Sequence, residues 1–126
     1  HGMVDVGESV IEINDSLMQR TDTISGEARF LWFHPARGNS ESLFQDLQDL
    51  YSDCAWVRTK DQILDEGWFG RQISSQAKER LGEIALLARD PIAFVDKENL
   101  GPKLVGRHGS LTETEVYVPL ITSFKD

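Results

Sequence analysis

The run Ala28-Arg29-Phe30-Leu31-Trp32-Phe33 constrains this chain more than any other, because it is rich in aromatics and is stopped by Pro35 and Gly38. Aromatic and branched side chains fit a pleated surface, and the proline and glycine that follow end the pattern. Both faces of the run are apolar, so the strand it predicts is a central one. Three further apolar runs have the same character. Residues 54–58 read as a second buried strand that takes in Cys54. Residues 83–89 and 92–96 read as the two arms of a hairpin with Asp90 and Pro91 in its turn.

Helical signals stand between these runs. After Asn39 or Ser40 as N-cap, Leu43, Phe44, Leu47, Leu50 and Tyr51 recur at helical spacing over about three turns. Thr59-Lys60-Asp61-Gln62 has the capping-box pattern and predicts a short helix ending at Gly67. Strand, helix and strand in that order predict a right-handed parallel unit. Trp68 and Phe69 between two glycines read as a turn anchored by aromatics, and residues 75–80 as a helical turn. Residues 9–13 are strand-like, residues 14–25 are polar with little period, and residues 97–103 are a loop by composition. Near the end, Thr112 and Glu115 suggest a capping box for one helical turn before an apolar strand over 117–121. The expected fold class is α+β, a small four-stranded mixed sheet with helices on one face.

Composition excludes several functions. At 126 residues the chain fits one domain, and its net charge of −8 with scattered basic residues argues against nucleic-acid binding. No apolar run approaches the roughly 20 residues that cross a bilayer, and no signal segment opens the chain, so no membrane contact is expected of this segment. Cys54 is the single cysteine, which excludes an internal disulfide and suits a cytoplasmic setting. No glycine-rich phosphate loop of either standard kind occurs. Trp32, Trp56 and Trp68 are expected in the core, His34 as a structural or surface residue, and Asp46, Asp49, Asp53, Asp61, Asp65 and Glu66 on a solvated face.

The chemistry gathers at the two ends. His1-Gly2-Met3 opens the chain and Gly106-Arg107-His108-Gly109-Ser110 comes near its close. An imidazole beside a glycine suits a metal ligand on a tight backbone turn. His1-Gly2-Met3-Val4 resembles the end of an Asp-His-Gly-Met motif, and the segment from Leu104 to Thr112 resembles a Gly-x-His-Gly motif. Glu115 with Val118-Pro119-Leu120-Ile121 resembles the strand lead-in that follows that motif. The middle, with Gly26-Glu27-Ala28-Arg29, Gly67-Trp68-Phe69-Gly70 and Leu81-Gly82-Glu83-Ile84, resembles the insert between the two motifs. On these residues the chain resembles the C-terminal part of the type I phosphodiesterase/nucleotide pyrophosphatase family of the alkaline phosphatase superfamily, most of all its bacterial, actinobacterial-type members.

The resemblance implies a hydrolase of phosphate esters or nucleotides working with two divalent metal ions, expected to be zinc. It implies His1 and His108 as metal ligands, one for each ion. The remaining ligands and the Thr or Ser nucleophile would stand upstream of His1. It also implies that residues 26–104 are an insert subdomain, with residues 1–25 and 105–126 joining a catalytic domain, so this segment alone is expected to be inactive and to bind no metal. A two-metal site activates the nucleophile and neutralises the leaving oxygen, and histidine with aspartate suits zinc in that role. A non-catalytic α+β binding or interaction module is the alternative, and an Asp immediately before His1 would separate the two readings.

Overall fold

The computed structural model describes residues 2–70, 72–97 and 103–124. In chain order its elements are β1 (Val4–Asp5), β2 (Val10–Glu12), α1 (Asp15–Met18), β3 (Thr21–Glu27), β4 (Phe30–Pro35), α2 (Ser40–Tyr51), β5 (Ala55–Thr59), α3 (Lys60–Asp65), α4 (Ser75–Arg80), β6 (Ile84–Ala88), β7 (Ala93–Val95), β8 (Gly106–Arg107) and α5 (Glu113–Val116). Most of the loop expected over 97–103 lies outside the described residues.

The principal sheet has the order β3-β4-β6-β5, and every neighbouring pair in it is antiparallel. Strand β4 is central as its two apolar faces require, with Leu31 opposite Leu86 and Trp32 opposite Ala85. The sheet is therefore antiparallel, not mixed. Strands β4 and β5 do run the same way, since both oppose β6, but β6 separates them, so the strand-helix-strand unit is split.

The expected hairpin around Asp90 and Pro91 does not form. After β6 the chain leaves the sheet, and β7 pairs in parallel with β2, Val10 opposite Ala93. The fourth strand is instead β3, drawn from the polar stretch that carries no period; most of its residues are exposed, and it is held by its ladder with β4 more than by burial. Residues Ala28 and Arg29, expected in the strand, form its two-residue turn.

Side chains alternate across β4 and sort into two cores. Leu31 and Phe33 meet Leu43, Leu47 and Tyr51 of α2, Leu17 of α1, and Val57 and Leu86 of the sheet. Trp32 meets Ile63 of α3 with Ala85 and Leu87, and Phe30, Trp56, Trp68 and Leu81 pack against them. Helices consequently cover both faces, not one, because a strand apolar on both sides must be shielded on both. Phe30 and Trp32, two residues apart on one face, stack with centroids 5.3 Å apart.

Local signals hold well at the helices. Asn39 precedes α2, and the Thr59 box is complete: Gln62 N–H donates to Thr59 Oγ1 and Thr59 N–H to Gln62 Oε1. Cys54 falls in the turn before β5 as a half-buried free thiol whose pKa burial pushes up. The expected strand over 117–121 is absent; that stretch carries no regular structure and exposes Leu120 and Ile121 by 89% and 91%. No described helix is long and apolar enough to cross a membrane.

Candidate functional site

The two ends of the chain meet. Strand β1 pairs antiparallel with β8, Val4 opposite Arg107 and Asp5 opposite Gly106, and Val6 N–H donates to Val105 O at 2.9 Å. On the other side Gly2 N–H donates to Thr114 O at 3.0 Å, in the helix that follows His108. The N-terminal segment is thus clasped between the strand before His108 and the turn after it. Gly2 is required by this approach, since a Cβ there would stand 2.5 Å from the Thr114 carbonyl oxygen. His1 lies outside the described residues, while His108 is exposed on the loop that the clasp supports.

Behind His108 the loop is tied to the sheet through one buried ion pair. Arg29 and Glu115, 86 residues apart in sequence, form a two-pronged bridge: Arg29 Nε to Glu115 Oε1 at 2.7 Å and Arg29 Nη2 to Oε2 at 2.9 Å. Their side chains are 0% and 1% exposed. Such burial is tolerated only when the remaining donors and acceptors are used. Here they are. Arg29 Nη1 donates to the carbonyls of Asp90 (2.9 Å) and Ile92 (2.7 Å), while Glu115 accepts from Ser110 N–H at 3.1 Å and Thr112 Oγ1 at 2.5 Å.

Ser110 completes the tie by donating its hydroxyl to Ala88 O at the end of β6, at 2.6 Å. Burial alone would push the Glu115 carboxyl up, but the hydrogen bonds from Arg29, Thr112 and Ser110 and the Arg29 charge outweigh it and hold it below the ordinary glutamate range. Between His108 and Ser110, Gly109 takes φ +113°, a conformation that turns the loop and that other residues rarely adopt.

The expected capping box at Thr112 and Glu115 does not form. Thr112 stands at the N-cap without a side-chain cap bond; its hydroxyl donates instead to the Glu115 carboxylate, which faces inward to Arg29. Reading the sequence for site residues missed Arg29; its one signal is a charged residue inside an otherwise apolar run. His34 is hydrogen-bonded to Ser25 Oγ at 3.0 Å on the sheet surface, away from any ligand group. Among the described residues no three or more His, Cys, Asp or Glu side chains are grouped to hold a metal ion.

The fold is of the α+β class, a four-stranded antiparallel sheet with small accessory sheets, one of which carries the His108 loop at its end. No family model matches the chain, and no curated protein matches it by sequence. Among solved structures it is similar to murine ectonucleotide pyrophosphatase/phosphodiesterase 5, with a TM-score of 0.64 and 19% identity over 87% of this chain and 28% of that one. An inactive form of the same murine protein in complex with AMP matches with a TM-score of 0.63 and 20% identity over the same shares. At this identity the likeness is one of fold, and the chain spans little more than a quarter of the murine protein.

Proposed function

We propose that this chain is the C-terminal, metal-site portion of a phosphodiesterase or nucleotide pyrophosphatase that hydrolyses small phosphate esters or nucleotides. One observation carries the reading: the segment that resembles the Asp-His-Gly-Met motif is clasped beside the loop that resembles the Gly-x-His-Gly motif, in a fold similar to part of a nucleotide pyrophosphatase/phosphodiesterase. In the proposal residues 26–104 are the insert and residues 1–25 and 105–126 join the catalytic domain. The exposed run of Tyr117, Val118, Leu120 and Ile121 supports that arrangement, since apolar surface of this extent is normally covered.

The donor set fits zinc as a partial shell. His108 offers a ring nitrogen on an exposed, anchored loop, and by the resemblance His1, which lies outside the described residues, would offer a second. Two imidazoles do not close a two-metal site, so the other ligands and the nucleophile would come from the rest of the protein. Bound there, two zinc ions would neutralise the phosphate and the leaving oxygen. The chain's own residues hold the ligands in place and keep the loop on the sheet. AMP bound to the murine protein points to a nucleotide as one substrate to try.

The test uses the polypeptide extended upstream to include the remaining ligands. His108→Ala removes a neutral ligand without adding charge, so the fold should survive while zinc content falls and hydrolysis of a nitrophenyl phosphodiester drops by orders of magnitude. Excess zinc should restore part of the rate. Unchanged zinc content and rate in the variant would remove His108 from the site.

A further inference from the structure

We propose that Arg29 and Glu115 are positioning residues for His108, a buried clamp that fixes the 108–110 loop on the sheet and so holds the imidazole where a metal would meet it. The inference rests on the reading of His108 as a ligand. A loop that carries a metal ligand must be ordered before the metal arrives, or part of the binding free energy is spent on ordering it. The turn at Gly109, with φ +113°, is permissive by itself.

The order comes from behind. On the N-terminal side β8 is held by two residue pairs with β1. On the C-terminal side, two residues beyond His108, the Ser110 amide and hydroxyl are bonded to Glu115 Oε1 and Ala88 O. Glu115 is itself aimed by the Arg29 fork, and Arg29 is fixed because it sits in the β3–β4 turn with its second prong on the carbonyls of Asp90 and Ile92. Every link is two side chains or fewer from the principal sheet. The insert's core is thereby connected to His108 through Arg29, Glu115 and Ser110.

The test uses this chain and two variants of different severity. Glu115→Gln keeps the shape but puts an amide N–H₂ against a guanidinium, while Ser110→Ala removes only the hydroxyl and leaves the ion pair intact. The readouts are amide hydrogen exchange at Ser110, the His108 ring signal by nuclear magnetic resonance, and thermal melting. Glu115→Gln should speed Ser110 exchange at least tenfold and move the His108 signal toward its unfolded position. Ser110→Ala should melt within a few degrees of wild type and move both in the same direction by less. If Glu115→Gln remains folded with Ser110 exchange within twofold and the His108 signal unmoved, the clamp does not position the histidine. Should Glu115→Gln fail to fold, Ser110→Ala decides by the same two readouts. The underlying reading is checked apart, on the polypeptide extended upstream to the remaining ligands, by measuring bound zinc in it and in its His108→Ala variant: zinc content that the variant leaves unchanged counts against the ligand, whatever the exchange rates show.

Discussion

Removing one member of the Arg29–Glu115 pair tests how much of the stability rests on it. In Arg29→Met the carboxylate stays buried with only Ser110 and Thr112 as donors, and the Ile92 carbonyl loses its Arg29 donor while Asp90 O keeps the Ile92 N–H. Breaking a buried pair costs about 3–5 kcal/mol, and the one orphaned acceptor adds about 1 kcal/mol, so the total is about 4–6 kcal/mol. Glu115→Leu strands Arg29 with its carbonyl partners still in place, which puts it near the lower bound of about 3 kcal/mol. At this chain length each kcal/mol shifts the melting temperature by about 3–5 °C, so the fall is about 10–15 °C for Glu115→Leu and larger for Arg29→Met. The double variant Arg29→Met/Glu115→Leu removes both charges and should recover part of the loss.

The pH dependence gives an independent sign. Because the folded carboxyl of Glu115 lies below its unfolded value, its contribution is fully present above the unfolded pKa of about 4.3 and is lost as pH falls through the folded pKa. Wild type should therefore weaken on the acid side more steeply than the double variant. In Arg29→Met burial is opposed by two fewer hydrogen bonds, so its deficit against wild type should shrink toward acid. Urea unfolding of the four proteins at several pH values measures all of this. Strictly additive losses, with the double variant as unstable as the two singles summed, would refute the idea that the pair is one unit.

Two smaller changes probe the frame. Thr59→Ala removes the side-chain N-cap bond of α3, leaving the backbone N–H of residue 59 to Gln62 Oε1, and should cost about 1 kcal/mol, read as a lower urea midpoint with an unchanged slope. Ile63→Ala opens a cavity beside Trp32 and should cost about 2–5 kcal/mol, with a shift of tryptophan fluorescence that reports the second core directly.

What could be read from the residues followed the range of the interactions. Helix α2 and the Thr59 box were legible because spacing and capping are settled within a few residues. The central position of β4 was legible because aromatic side chains on both faces admit no other place. Strand β3 was not, since Thr21, Asp22, Thr23 and Ser25 gain their strand from a partner and not from burial. The departure of β7 to pair with β2 depends on contacts some 80 residues apart. A like distance hid Arg29 from Glu115. His108 was a candidate through the motif that its segment resembles; the support behind it was not legible, because hydrogen bonds across the fold leave no local pattern.

The strand order carries a consequence for how the chain reaches its native state. The β3–β4 hairpin closes over a two-residue turn and can form early, whereas β5 has no partner until β6, some 25 residues later, slides between it and β4. Until then two apolar ladder edges, β4 and β5, stand open at once. An open apolar edge is a template for a neighbouring chain, so the interval before β6 docks is when this protein is most exposed to aggregation. Refolding yield should therefore fall with protein concentration, and synthesis on the ribosome leaves the sheet unfinished until Ala88 has emerged.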